Sequence, residues 1–260
     1  MSSRKSTPRL LGAAFLIVIV TSLIGGLLLS SATGSGSISD ILVSISNNAT
    51  LLRISILGDM ATSVGVVALA VLLYAVLNNQ NRIMALVALG LWLIEAIALA
   101  ISTIGASALI PLSQGFVKAG SPLSSYYQTL GEFLYSDVVV QLGQTIHMFF
   151  YCSGGILWYY LFYKSKYVPR VISLYGLMAV IVSLAGTVYV FLGNEISILA
   201  SLPIFPFELA IGAWLLLRGT REEVPLRLPL NQDQAPFLFR DERPCLDSRL
   251  TKTNAFSRNM

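Results

Sequence analysis

Asp59, Glu95, His147 and Glu208 lie inside four different long apolar segments of a chain that is otherwise nearly free of charge wherever it is hydrophobic. A charged side chain at the centre of a bilayer costs about 2.5 to 3.5 kcal/mol on insertion scales, so such residues face a bundle interior or a water-filled cavity. One histidine with three carboxyls is the group set of a proton or cation relay, and equally of an oxygen-rich metal site for manganese, iron or zinc. Three carboxylates at one depth cannot all stay ionised cheaply, so at least one is expected to hold a proton near neutral pH.

Polar neighbours at helical spacing support these four. Ser55, Asp59, Thr62 and Ser63 form one stripe, and Gln141, Gln144, His147 and Tyr151 another. Ser63, Gln144 and Tyr151 are the expected supporting groups. Arg53 is a fourth, placed either to snorkel to the interface or to reach a solute. Pro203 and Pro206 remove backbone donors just before Glu208 and predict a broken helix whose freed carbonyls neighbours or water must satisfy. A divalent metal would draw on Glu95, His147 and Glu208. Against it, there is one histidine in the chain and no His-Glu-x-x-His. Ser153 sits on the wrong helical face for a dyad with His147, and a lone haem ligand is unspecific. No other cofactor is indicated.

The elements that carry these residues follow from composition. With 55% hydrophobic and 12% charged residues the chain departs far from the soluble norm of roughly 25% charged. Its partner is the lipid bilayer, and an ordinary soluble catalytic domain is excluded. Six runs pass the length test for membrane helices, approximately 10–30, 51–77, 83–110, 138–163, 168–192 and 198–217. Continuous apolar runs are not the short alternating segments of a membrane barrel. The fold class is therefore all-α, a polytopic six-helix transmembrane bundle over residues 10–218.

Orientation follows from the excess of Lys and Arg in cytoplasmic loops. Arg4, Lys5, Arg9, Arg82, Lys164, Lys166, Arg170, Arg218 and Arg221 all fall on one side. The opposite loops carry Asp40, Lys118, Glu132, Asp137 and Glu195. Both termini are then cytoplasmic in a multi-pass protein of the cell membrane, with residues 1–9 as a cytoplasmic N-terminus. At about 1.5 Å rise per residue the four ionisable side chains fall roughly 10 to 15 Å from the outer face, in one slab.

Smaller features add less. The first run is too long for a signal-peptide core of about 7 to 15 residues, so it is expected to be an uncleaved anchor. Asn48-Ala49-Thr50 is a glycosylation tripeptide of the kind that arises by chance. The external loop from Pro111 to Ser136 suits an interfacial cap or a lid, with Tyr126, Tyr127, Phe133 and Tyr135 as aromatic anchors. Cys152 and Cys245 fall in different phases and do not pair. Residues 219–260 are expected to be a disordered cytoplasmic tail, in which Phe237, Leu238 and Phe239 offer a short docking motif. Its charges nearly balance, which excludes a nucleic-acid partner.

The segments LLRISILGDMATSVGVVALAVLLYAVL, RIMALVALGLWLIEAIALAIS, IHMFFYCSGGILWYYLFYKSKYVPRVISLYGLMAVIVSLAG and LPIFPFELAIGAWLLLRG carry a resemblance. Within them stand Arg53 and Asp59, Glu95, His147 with Gly155, the Tyr-Lys-Ser-Lys-Tyr-Val-Pro-Arg turn at 163–170, and Phe207-Glu208-Leu209. Over residues 8–219 the chain resembles the prokaryotic membrane family known as domain of unknown function 4386. The resemblance implies a six-span fold and no reaction. Three readings remain: a polar chamber that binds or translocates a small polar or amphipathic solute with proton linkage, a metal-assisted enzyme acting on lipid, and a polar layer that only fixes the bundle. No catalytic motif favours the enzyme.

Overall fold

Long apolar runs punctuated by Asn, Gly and Pro become helices, because in hydrocarbon only internal hydrogen bonds satisfy the backbone. A computed structural model describes residues 6–121, 126–194 and 203–218, and no strand occurs among them. The helices are α1 (Ser6–Thr33), α2 (Ile38–Asn47), α3 (Ala49–Leu77), α4 (Arg82–Lys118), α5 (Tyr126–Glu132), α6 (His147–Ser165), α7 (Arg170–Phe191) and α8 (Ile204–Arg218). Between α5 and α6 the chain stays helical over Phe133–Ile146 with the wider turns of a π-helix. All of this belongs to the contact unit Met1–Leu226. The tail 219–260 with its Phe237-Leu238-Phe239 motif lies outside the described residues. So do 1–5, 122–125 and 195–202, which include the expected start of the last span.

Among the described residues four helices are long and apolar enough to cross a membrane: Pro8–Thr33, Ala49–Leu77, Arg82–Lys118 and Arg170–Phe191. They mark the chain as a membrane protein. The run expected at 138–163 falls on the π segment and α6, and α8 starts only at Ile204.

Two segments that read as connections are helical. After α1 the chain turns through Gly34 and Gly36, both at positive φ, and Ser37 caps α2 in a capping box with Asp40. α2 buries Ile41, Leu42 and Ile45. The stretch from Pro111, read as an external loop, instead continues α4 as far as Lys118. Pro111 gives the Ser107 carbonyl no backbone donor. Burial of Leu109, Ile110, Leu112 and Phe116 against α2 offsets that loss. At 37 residues, α4 is about 55 Å long and overreaches a core of about 30 Å. Its far third belongs to a cap with α2 and α5.

Two apolar cores result. One joins α1, α3, α4, α6, α7 and α8 around Trp92, Trp158, Tyr159, Phe162 and Phe207. The other holds the cap together around Leu42, Ile45, Leu109 and Phe116. Small residues set how closely the membrane helices cross, since lipid offers no hydrophobic force to drive them together. A Cβ built on Gly12 would lie 2.4 Å from the Leu216 amide nitrogen, so α1 and α8 touch backbone to backbone. α1 and α3 approach similarly at Gly25 and Gly58.

Candidate functional site

Five helices each turn one face toward a common cavity of about 120 Å3. α1 contributes Val18, Ile19 and Ser22; α3 contributes Asp59, Thr62, Val66 and Leu69; α4 contributes Trp92, Glu95 and Leu99; α6 contributes His147, Met148 and Tyr151; α8 contributes Ile204, Phe205 and Glu208. Within each set the residues recur at three or four, the spacing of one helical face. Asp59, Glu95, His147 and Glu208 thus line one space, reached from four different helices.

Their hydrogen bonding is uneven. The Tyr151 hydroxyl donates to Glu208 Oε1 at 2.6 Å and lies 3.1 Å from the Tyr159 hydroxyl. Trp92 stacks on Tyr151, ring centroids 5.7 Å apart and nearly parallel, and its Nε1 donates to the Tyr151 carbonyl at 3.1 Å. That pair holds α4 to α6 beside Glu95. Gly154 makes room for it, because a Cβ there would meet Trp92 Cδ1 at 2.5 Å. Glu95 is 3% exposed, and its Oε2 has no hydrogen-bond partner among the described residues. Glu208 lies within electrostatic range of it. The Gly143 carbonyl interacts with the His147 ring without completing a well-formed bond to Nδ1. Asp59 is half-buried and sits against α1, where a Cβ on Gly25 would come 2.6 Å from its Oδ1.

The supporting residues expected from sequence divide. Tyr151 lines the cavity and binds Glu208. Ser63 lies outside it and donates to the Ala96 carbonyl at 2.8 Å, tying α3 to α4 next to Glu95. Arg53 is exposed and does not line the cavity. Gln144 is also exposed and outside the cavity, contrary to the stripe drawn through it. The π segment ends just before His147, and its i→i+5 bonding rotates residue 144 away from the face that α-helical spacing assigns it. The break expected at Pro203 lies at the edge of the described residues, since 195–202 fall outside them and α8 begins just after it, at Ile204. Pro206 stands in the first turn of α8, where backbone N–H groups have no intrahelical partner to lose.

Sequence reasoning missed Trp92 and Ser22 as cavity residues, while Thr62, on the stripe drawn through Asp59, does line the cavity. Trp92 was legible, lying three residues before Glu95 on the same face. Ser22 was not, because nothing in α1 marks which side meets α3. The Thr62 hydroxyl lies 2.8 Å from the Thr21 hydroxyl and 2.9 Å from the Gly58 carbonyl oxygen, its one proton serving this pair of acceptors, so it closes the α1–α3 wall.

Glu95, His147 and Glu208 share the cavity without forming the ligand set that sequence offered. Among the described residues no three His, Cys, Asp or Glu side chains converge to hold a metal ion.

Residues 10–219 match the family model described as "Domain of unknown function (DUF4386)". No curated protein and no solved structure gives a match.

Proposed function

The chain belongs to the DUF4386 family, and we propose that it is a membrane protein of six crossings whose chamber binds and passes a small polar or amphipathic solute with proton linkage. The crossings are α1, α3, α4, the π segment with α6, α7 and α8. Arg9, Arg82, Lys164, Lys166, Arg170 and Arg218 stand at the helix ends away from the cap, whose side carries Asp40, Lys118 and Glu132 in its helices and Asp137 early in the π segment. Both termini are then cytoplasmic, the cap is external and the membrane is that of the cell.

One observation carries the reading. Ionisable side chains from four helices line one cavity that has no Lys or Arg in its wall, and one of them, Glu95, has a buried carboxyl oxygen without a partner. Polar residues that only fix a bundle bond to one another, as the polar residues of membrane helices do for about 1 kcal/mol each. Among the described residues, Glu208 alone of the four ionisable side chains is bonded to another side chain of the chamber, that of Tyr151. Charge in such a space is balanced by protons or by a bound solute, and exchange of one for the other couples their movements. The row Tyr159–Tyr151–Glu208 offers a hydrogen-bonded route for the proton.

The test is proton entry into vesicles containing the purified protein, followed with a trapped pH dye after an imposed pH step. Wild type should acidify the lumen faster than protein-free vesicles. Glu208→Gln and Asp59→Asn should lose that flux while keeping helix content and elution volume. Unchanged flux in both variants overturns the proposal. Variants that fail to fold favour a bundle-fixing layer, and stoichiometric metal with chelator-sensitive action on lipid would favour an enzyme instead.

A further inference from the structure

The chamber's own inventory of donors and acceptors narrows what fits in it. Resting on the solute-binding reading above, we propose that the occupant is a small organic cation bearing N–H donors, an alkylammonium or guanidinium group of about five or six heavy atoms.

The lining is rich in acceptors and poor in donors. Asp59, Glu95 and Glu208 carry six carboxyl oxygens, of which the described residues satisfy one, Glu208 Oε1, through Tyr151. The Tyr151 hydroxyl proton is used in that bond and that of Thr62 in the α1–α3 wall, which leaves the Ser22 hydroxyl and the single N–H of a neutral His147 as the lining's donors against five carboxyl oxygens. Glu95 Oε2 is the decisive atom: buried, carried by a side chain that lines the cavity, and unpartnered among the described residues. A buried acceptor without a donor costs about 1 to 3 kcal/mol, more when charged, so an occupant that supplies the donor recovers that cost. Charge-assisted N–H bonds to carboxylate are roughly twice as strong as neutral ones, which favours a cation over a neutral solute.

Geometry then separates an organic cation from a metal ion. The carboxyls share the cavity, but among the described residues no three His, Cys, Asp or Glu side chains converge on one point. A bare ion must touch all its ligands at once, whereas a group with several N–H donors bridges acceptors set farther apart. The rest of the wall, including Val66, Leu69 and Phe205, is hydrocarbon and suits a short alkyl stem. Size sets the limit: an engineered apolar cavity of about 150 Å3 holds benzene, and this one is about 120 Å3.

The experiment is calorimetric titration of the full chain in detergent micelles with n-butylammonium chloride. n-Butanol and sodium butyrate serve as neutral and anionic analogues, at constant ionic strength. The pH is held above the ordinary imidazole value of about 6.5, so that His147 is uncharged. Saturable binding of n-butylammonium at least tenfold tighter than n-butanol is expected, and Glu95→Gln should weaken it at least tenfold without altering the binding of n-butanol. If that variant misfolds, Asp59→Asn and the wild-type selectivity decide. Equal or tighter binding of n-butanol or butyrate overturns the cation but leaves the solute chamber standing. Absence of binding by all three overturns it as well, and only the additional loss of proton flux removes the broader reading.

Discussion

Gly12→Ala tests the architecture independently of any ligand. A Cβ at residue 12 would stand 2.4 Å from the Leu216 amide nitrogen, 2.7 Å from the Gly212 carbonyl oxygen and 2.9 Å from the Leu215 carbonyl carbon. All three are backbone atoms of α8, so no side chain can swing aside. Carbon contacts are comfortable near 3.5 to 4.0 Å, so α1 and α8 must part by about 1 Å, a gap that forfeits a quarter to a half of each neighbouring contact. Overpacking of this kind costs about 1 to 3 kcal/mol. Gly26, on the same helix, has nothing within 4 Å of its would-be Cβ, and Ala there should gain up to about 1 kcal/mol of helix propensity. In mixed micelles unfolded with increasing dodecyl sulfate and followed by circular dichroism, the two variants should therefore differ by the overpacking cost of about 1 to 3 kcal/mol, since the propensity gain is common to both. Because α8 carries Glu208, Gly12→Ala should also weaken n-butylammonium binding, which Gly26→Ala leaves alone. Stabilities within about 0.5 kcal/mol of each other, the range of ordinary surface changes, would refute the α1–α8 contact and the position it gives Glu208.

Two further outcomes follow from single groups. Tyr151→Phe keeps the ring against Trp92 but strips Glu208 Oε1 and the Tyr159 hydroxyl of a common partner; it should destabilise by about 1 to 3 kcal/mol in the same titration, and a loss under about 0.5 kcal/mol would show the hydroxyl is replaced by water. Asp40, exposed at the start of α2, accepts hydrogen bonds from the Ser37 hydroxyl and amide, which hold its carboxyl below the ordinary 3.8. A depressed folded value means the cap is fully formed above 3.8 and lost as pH falls through the lower value. Amide protection factors in α2 should stay level from neutral pH down to that point and then fall, and Asp40→Asn should abolish the step.

The apolar runs and the four ionisable residues were legible because both are one-dimensional signals. A helix needs length and hydrophobicity, and depth is residue count times rise, so Asp59, Glu95, His147 and Glu208 could be placed in one layer without coordinates. Azimuth was harder. Gln144 follows an α-helical stripe in sequence and leaves it in the structure because the π segment changes the turn just before His147. Ser22 and Val18 sit on a helix with little hydrophobic asymmetry, where only the close approach at Gly25 and Gly58 decides which face turns inward. α2 escaped notice because its short amphipathic pattern falls below the length of a membrane span, although the Ser37 to Asp40 capping box announces it. The continuation of α4 past Pro111 depends on what α2 brings to it, a tertiary effect no local pattern reveals.

The two tyrosines beside Glu208 also have a sense of direction. A hydroxyl carries one proton, and that of Tyr151 points at Glu208, so in the 3.1 Å contact Tyr159 must be the donor. If Glu208 takes up a proton and becomes a donor itself, the row can reverse: Glu208 gives to Tyr151, Tyr151 to Tyr159, and the Tyr159 proton must find another acceptor. The polarity of two hydroxyls thereby records whether Glu208 is charged, and carries that record from the chamber into the aromatic packing around Phe207, against which Tyr159 stands with ring centroids 4.4 Å apart.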